Sequence, residues 1–244
     1  MDKFKRQSIF GVLGVLSVLI RAGAGLALAI PAAFTILVPV TFMSCSSSQI
    51  NDSDPGSLFK DAEDEIQSEH YQLAIDKLRI IKNKFPYSKF AIDAQLRIAD
   101  VYFLQESFAE AAASYEAFRE LHPKHPKAPY AMYRAAKSYY NDMPSTVARD
   151  MTAARKALDT YNDFLRRYPT SSDVDAARKE VADIRRLLAE KELYIADFYY
   201  NRDFYDSAKP RYKKTVELYP ETDAAKKAQE KLDKIDKMEP QQTK

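Results

Sequence analysis

Four stretches of the chain close in the same way. Apolar residues at helical spacing lead into a proline: FPYS at Pro86, HPKH at Pro123, YPTS at Pro169 and YPET at Pro220. Twelve residues before each proline stands an alanine: Ala74, Ala111, Ala157 and Ala208. Four residues after those alanines come Leu78, Tyr115, Tyr161 and Tyr212; seven after come Ile81, Phe118, Phe164 and Thr215. Steps of four and seven fall on one helix face, so the pattern predicts four helices that bury the same stripe. A second helix precedes three of them. Ala99 and Tyr102 lie 13 and 16 residues after Pro86, and Ala136 and Tyr139 lie 13 and 16 after Pro123. Ala196 and Tyr199 stand twelve and nine before Ala208. In this reading the small residues let two helices approach closely, and the tyrosine fills the gap beside them.

The unit resembles the tetratricopeptide repeat, a helix–turn–helix. The expected fold is therefore all-α: a tetratricopeptide-repeat-like solenoid over residues 58–238, with about four helical hairpins and a C-terminal capping helix. The proline spacings are 37, 46 and 51. Relative to the first, the last gains 14 residues, close to four turns at 3.6 residues per turn. A continuous helix over 172–200, starting near Asp173, absorbs that and keeps its faces aligned. A gain of nine is about two and a half turns and would rotate the face away. The second gap must therefore contain a break, which NDMPST at 141–146 supplies with Pro144. After Pro220 one helix, about 222–238, has no partner, and residues 239–244 read as a disordered tail. Pro210 sits near the start of the helix from about 206 to 219; inside the first turn it costs little, deeper it kinks the helix.

Composition divides the chain. Of five glycines, Gly11, Gly14, Gly23 and Gly25 precede Cys45, and only Gly56 follows it. That excludes glycine-rich phosphate loops and favours helices. Residues 1–44 carry Lys3, Lys5 and Arg6 before a long apolar run broken by Arg21, the grammar of an export signal. Removing their four basic residues and one acid from 37 and 35 leaves 33 and 34, a net of −1 for residues 45–244. Such a surface does not suit nucleic acid.

Cys45 is the only cysteine and cannot form an internal disulfide. It sits in FMSCSSSQ, between the apolar leader and a polar stretch over 45–57 that suits a tether. Two readings stand: lipidation of Cys45 after removal of residues 1–44, or an uncut membrane anchor in residues 22–44. Ser44 fits the small residue before a lipidated cysteine, and Phe42 departs from the usual leucine.

Two further stretches carry a resemblance, HPKHPKAPYAMYRAAKSYY at 122–140 and ELYIADFYYNRDFYDSAKPRYKKTVELYPET at 192–222. With the repeat register and the lipobox-like start, the chain resembles the BamD family of outer-membrane protein assembly lipoproteins over roughly residues 57–238. The resemblance implies a protein anchored by lipid on Cys45 at the periplasmic face of the outer membrane. It implies binding to a periplasmic domain of the barrel-forming subunit BamA, company with other Bam lipoproteins, and reception of unfolded outer-membrane protein precursors. Arg202 and Arg211 match the family's C-terminal docking surface; the other reading of each is a surface ion pair of about 0–1 kcal/mol. A general tetratricopeptide scaffold of the envelope, serving wall remodelling or secretin assembly, is the alternative function.

Stacked hairpins expose the face of their first helices. Counting from the alanines, that face carries Phe59, Leu96, Phe103, Tyr130, Tyr133 and Tyr140, interspersed with charge. Aromatic rings offer contact area to an extended peptide, or they are ordinary packing. No catalytic set is legible. His122 and His125 lie in HPKHP, where the prolines forbid a helix and no cysteine or carboxylate completes a metal site, so a turn role is expected. The expectation is no enzyme, no metal and no cofactor beyond lipid on Cys45.

Overall fold

Proline stops each second helix at the expected place. Phe85, His122, Tyr168 and Tyr219 cap helices α2 (Tyr71–Lys84), α4 (Phe108–Leu121), α6 (Thr152–Arg167) and α8 (Tyr205–Leu218). Their φ values run from −126° to −133° and their ψ values from 48° to 56°. A residue before proline is driven out of the helical region by the ring's Cδ, and these four leave it in one shared way. The computed structural model describes residues 54–242, which belong to one unit spanning Ser48–Lys244. The remaining helices are α1 (Pro55–Gln67), α3 (Lys89–Leu104), α5 (Ala128–Asn141), α7 (Val174–Tyr200) and α9 (Asp223–Gln242). No strand occurs among the described residues. The export signal, Cys45 and the tether as far as residue 53 lie outside them.

Each helix packs on the next in chain order. The core is four clusters, each spanning three consecutive helices: α1–α3, α3–α5, α5–α7 and α7–α9. Every predicted stripe residue is fully buried, from Ala74, Leu78 and Ile81 through Ala208, Tyr212 and Thr215. Ala99, Ala136 and Ala196 are fully buried as well, and so is Ala62 twelve residues before Ala74, which completes the pattern in the first hairpin. Direct packing between next-but-one helices joins α1 to α3, α5 to α7 and α7 to α9, all of them odd-numbered. The odd helices thus form a row of their own, as tetratricopeptide stacking requires.

Helix α7 runs unbroken for 27 residues. Its first half packs on α6 through Ala177, Ile184 and Leu188, and its second half on α8 through Ala196. The break expected at NDMPST falls between α5 and α6, over residues 142–151. Two boundaries differ from expectation. The expected tether gives way to helix at Pro55, because Asp54 accepts a 2.7 Å bond from the Ser57 amide and Pro55 occupies the first turn. At the other end α9 continues to Gln242, through four of the residues expected to be tail. Pro210 is the sixth residue of α8, beyond the first turn, and removes the bond its nitrogen would make to the Asp206 carbonyl.

With no glycine available, the hairpin turns use acids in the left-handed region: Glu69, Glu106 and Asp203 have φ of 59°, 59° and 62°. Each stands five residues before its alanine. Each is followed by an amide that reaches back five residues, from His70 to Glu65, Ser107 to Tyr102 and Phe204 to Tyr199. These are helix-ending Schellman turns, where glycine normally avoids the Cβ clash. We expect Glu106→Gly to raise stability by about 0.5–1 kcal/mol, a melting shift of about 1–4 °C. Ala111→Leu, which crowds a full contact, is expected to cost about 1–3 kcal/mol. Thermal unfolding of residues 48–244 followed by circular dichroism checks both signs.

Candidate functional site

The odd helices carry polar side chains at one repeated position, the residue after each close-packing alanine: Glu63, Asp100, Lys137 and Asp197, of which the first three reach a neighbouring odd helix. Arg97 donates two 2.7 Å bonds to Glu63 and lies 3.6 Å from Asp100. Asp100 also accepts bonds from the Tyr115 hydroxyl at 2.6 Å and the Tyr130 hydroxyl at 2.8 Å. In the last hairpin Asp197 accepts from Tyr212 at 2.6 Å, with the same spacing of 15 residues. The third hairpin inverts the charge: Lys137 donates to Glu180 of α7, which also accepts from Tyr161. A carboxylate this buried is tolerable only because two donors hold it. Glu192, also buried, is held by Lys214 at 2.7 Å and Arg211 at 3.4 Å.

The six groove candidates share this row but not one environment. Leu96, 3% exposed, belongs to the core of α3–α5 and is not a surface residue. It stands one turn before Ala99 and shares its buried face. Phe59 packs on Phe90 at 5.7 Å, and Tyr133 on Tyr161 and Phe164 at 5.9 and 5.7 Å. Phe103 lies under the Arg134 guanidinium at 3.6 Å. Tyr140 is covered by Lys137 at 4.7 Å and donates to Asp183 at 3.3 Å. Tyr130 is the open one, 38% exposed, set edge-on to Tyr115. Phe103, Arg134, Tyr130 and Asp100 thus form an aromatic and charged cluster across two hairpins, with Tyr130 its most open member. Arg134 was not among the candidates of the sequence reading; its place four residues after Tyr130 was the available signal.

The packing tyrosines take up a second regularity. Tyr102 receives a 2.7 Å bond from Arg79, and Tyr139 donates to Glu116 at 3.0 Å, each 23 residues back on the second helix of the preceding hairpin. Tyr199 meets Phe198 edge-on at 5.4 Å.

At the C-terminal end the two candidate arginines differ. Arg211 is committed to Glu192 and lines a hollow of about 510 Å³ with Tyr199, Asp206, Ser207, Pro210 and Lys214. Arg202 is exposed and stacks on the Phe198 ring at 3.7 Å while donating to the Phe198 carbonyl at 3.1 Å. It meets no carboxylate among the described residues. Tyr194, Phe198 and Arg202 follow at steps of four, and both rings are nearly half exposed. That stripe is an apolar and cationic surface left open by the described residues.

His122 bonds Gln95 at 3.0 Å and His125 meets Phe118 edge-on at 5.4 Å, so the pair builds the α4–α5 turn. Among the described residues no cluster of three or more His, Cys, Asp or Glu is placed to hold a metal. No described helix is long and apolar enough to cross a membrane.

The geometry defines a class: a stacked helical-hairpin scaffold whose working parts are surfaces. Residues 51–243 match the family YfiO, outer membrane lipoprotein. The chain belongs to that family, the BamD family of the sequence reading, and as a member it is a scaffold and not an enzyme. It is 28% identical over 197 residues to the outer membrane protein assembly factor BamD of Vibrio cholerae, covering 76% of this chain and 82% of that protein. It is 28% identical over 174 residues to BamD of Neisseria gonorrhoeae, covering 68% of this chain and 65% of that protein. BamD of Caulobacter vibrioides is 27% identical over 165 residues, 68% of this chain and 54% of that protein.

Burial, and then the charge of Asp100, pushes the Tyr130 phenol up to about 12 from its usual 10. Burial and Glu116 do the same to Tyr139, also to about 12. The folded state therefore keeps protons that the unfolded chain releases. This stability is fully present below pH 10 and is lost as pH rises from 10 through about 12. Urea unfolding at a series of pH values over that window should show the decline, and Tyr130→Phe with Tyr139→Phe should make it shallower, the rest coming from Tyr115, Tyr161 and Tyr212, whose phenols burial also raises.

Proposed function

We propose that the protein is a non-enzymatic subunit of the outer-membrane protein assembly machinery. In this reading, lipid on Cys45 holds it to the periplasmic face of the outer membrane. The α7–α8 end docks on a periplasmic domain of a BamA-like barrel subunit, other Bam lipoproteins join, and the odd-helix row receives unfolded barrel precursors. The observation that carries the docking assignment is the Tyr194–Phe198–Arg202 stripe. A guanidinium without a carboxylate of its own, spread over an exposed ring, is ready for an acidic partner surface, and its burial there adds apolar contact. Arg211 supports the site from inside by fixing Glu192, and so sets how α8 lies on α7. The Phe103–Arg134–Tyr130–Asp100 cluster suits an extended peptide with aromatic side chains, because its rings are already ordered.

Arg202→Glu is expected to weaken capture of the barrel subunit about tenfold or more while leaving the melting temperature near wild type. Crosslinking and pull-down from envelopes measure it, and undiminished capture overturns the docking assignment. Recovery with wall-synthesis enzymes or a secretin, and no barrel subunit, overturns the function. Cys45→Ala should move the protein from the membrane to the soluble fraction; full membrane retention would exclude lipid as the anchor.

A further inference from the structure

The hairpin stack sorts seven of the eight connections among its described helices onto two edges of opposite character. Consecutive helices pack together and are joined by links of three to ten residues, so they run antiparallel. The links α2–α3, α4–α5 and α6–α7 share one edge, and the turns within hairpins share the other; the α8–α9 link, acidic at Glu217, Glu221 and Asp223, is bonded by Arg185 partway along α7 and lies off both. On the first edge stand Lys82, Lys84 and Lys89, then Arg119, Lys124 and Lys127, then Arg166 and Arg167. Within those stretches, 82–89, 119–127 and 166–173, the only acids are Glu120 and Asp173. The opposite edge carries Glu69, Glu106, Asp142, Asp150 and Asp203 against Arg149 and Arg202.

The basic edge keeps exposed cations that no described carboxylate neutralises. Lys127 meets Asp93 at 3.2 Å and Arg166 meets Asp163, both at solvent-exposed sites worth little. Lys82, Lys124 and Arg167 are exposed and meet no carboxylate among the described residues. The same stretches hold the two most exposed large apolar side chains described, Tyr87, fully exposed, and Leu121 at the end of α4, 67% exposed. Neither belongs to a core cluster. Cations around a projecting tyrosine and leucine have the composition of a contact with the headgroup region of a bilayer. Residues 45–244 carry a net −1, so attraction to a negative surface has to come from this patch and not from the whole.

We propose that the edge formed by the α2–α3, α4–α5 and α6–α7 links rests on an anionic phospholipid surface. Lys82, Lys124 and Arg167 lie over the phosphates, and Tyr87 and Leu121 enter the interface. This contact does not depend on lipid at Cys45. It sets the orientation of the stack, with the acidic hairpin turns directed away from the bilayer.

Residues 48–244, one compact unit without Cys45, provide the test. They are sedimented with vesicles of phosphatidylcholine alone or of phosphatidylcholine with phosphatidylglycerol. Binding to the anionic vesicles is expected to be about tenfold or more tighter, and to fall as salt rises. Lys82→Glu, Lys124→Glu and Arg167→Glu together should remove at least about tenfold of it. The same charge change at exposed Lys60, Lys156 and Lys213 should cost less than about threefold. The chain has no tryptophan, so Tyr87→Trp adds one reporter whose emission should shift to the blue on anionic vesicles only. Equal binding to both vesicle types, equal losses from the two charge sets, or an unshifted emission overturns the proposal.

Discussion

Close contact at alanine is the constraint on which the rest of this structure depends. Ala62 with Ala74, Ala99 with Ala111, and Ala196 with Ala208 recur at a spacing of twelve, and all are fully buried. A methyl group lets two helix axes approach, and the space on either side is then filled by Leu78, Tyr115, Tyr161 or Tyr212 and by Ile81, Phe118 or Phe164. Packing at this density leaves little tolerance for a larger side chain. Because each cluster spans three helices, the first helix of one hairpin closes the core of the hairpin before it. The stack is held by local contacts repeated along the chain, as expected of a solenoid.

The price of that economy is a row of polar groups between the odd helices. Tyrosine fills the gap beside alanine well, but its hydroxyl must find a partner when buried. Asp100 and Asp197 serve Tyr115 and Tyr212 from the same hairpin, whereas Tyr161 turns to Glu180 of the next. The change accompanies a lysine in place of the acid at position 137 and a loop at 142–151 longer than those of the other hairpins. Glu180 is then compensated by Lys137, which occupies the position where the other hairpins carry an acid. No buried side-chain nitrogen or oxygen is without a partner among the described residues.

Function in such a molecule resides in what the packing leaves over. The stripe of Tyr194, Phe198 and Arg202 lies on the outer side of the half of α7 whose inner side holds Ala196. The Phe103, Arg134 and Tyr130 cluster lies where two hairpins meet, and its rings are ordered by the same charges that join the helices. Membership of the YfiO family extends from residue 51 to 243, across all of these surfaces.

The repeats, their proline stops, the break before α6 and the unbroken α7 were all legible in the sequence. Each follows from spacing along a single helix or from the chemistry of one residue and its neighbour. Leu96 was misread as surface, and Glu180 and Glu192 were not singled out at all. Periodicity gives the buried stripe of a helix but not its width, and the next hairpin widened that of α3 to include Leu96. An acid in a charged stretch such as AEKEL reads as solvated until a neighbouring helix brings Lys214 and Arg211 to it. The sequence by itself determined which residues could form helices and where those helices stop, because those are local properties of the backbone. Which charges are buried together, and which arginine is left uncommitted, was decided only by the rotation of each helix against its neighbours, a property of the packed stack.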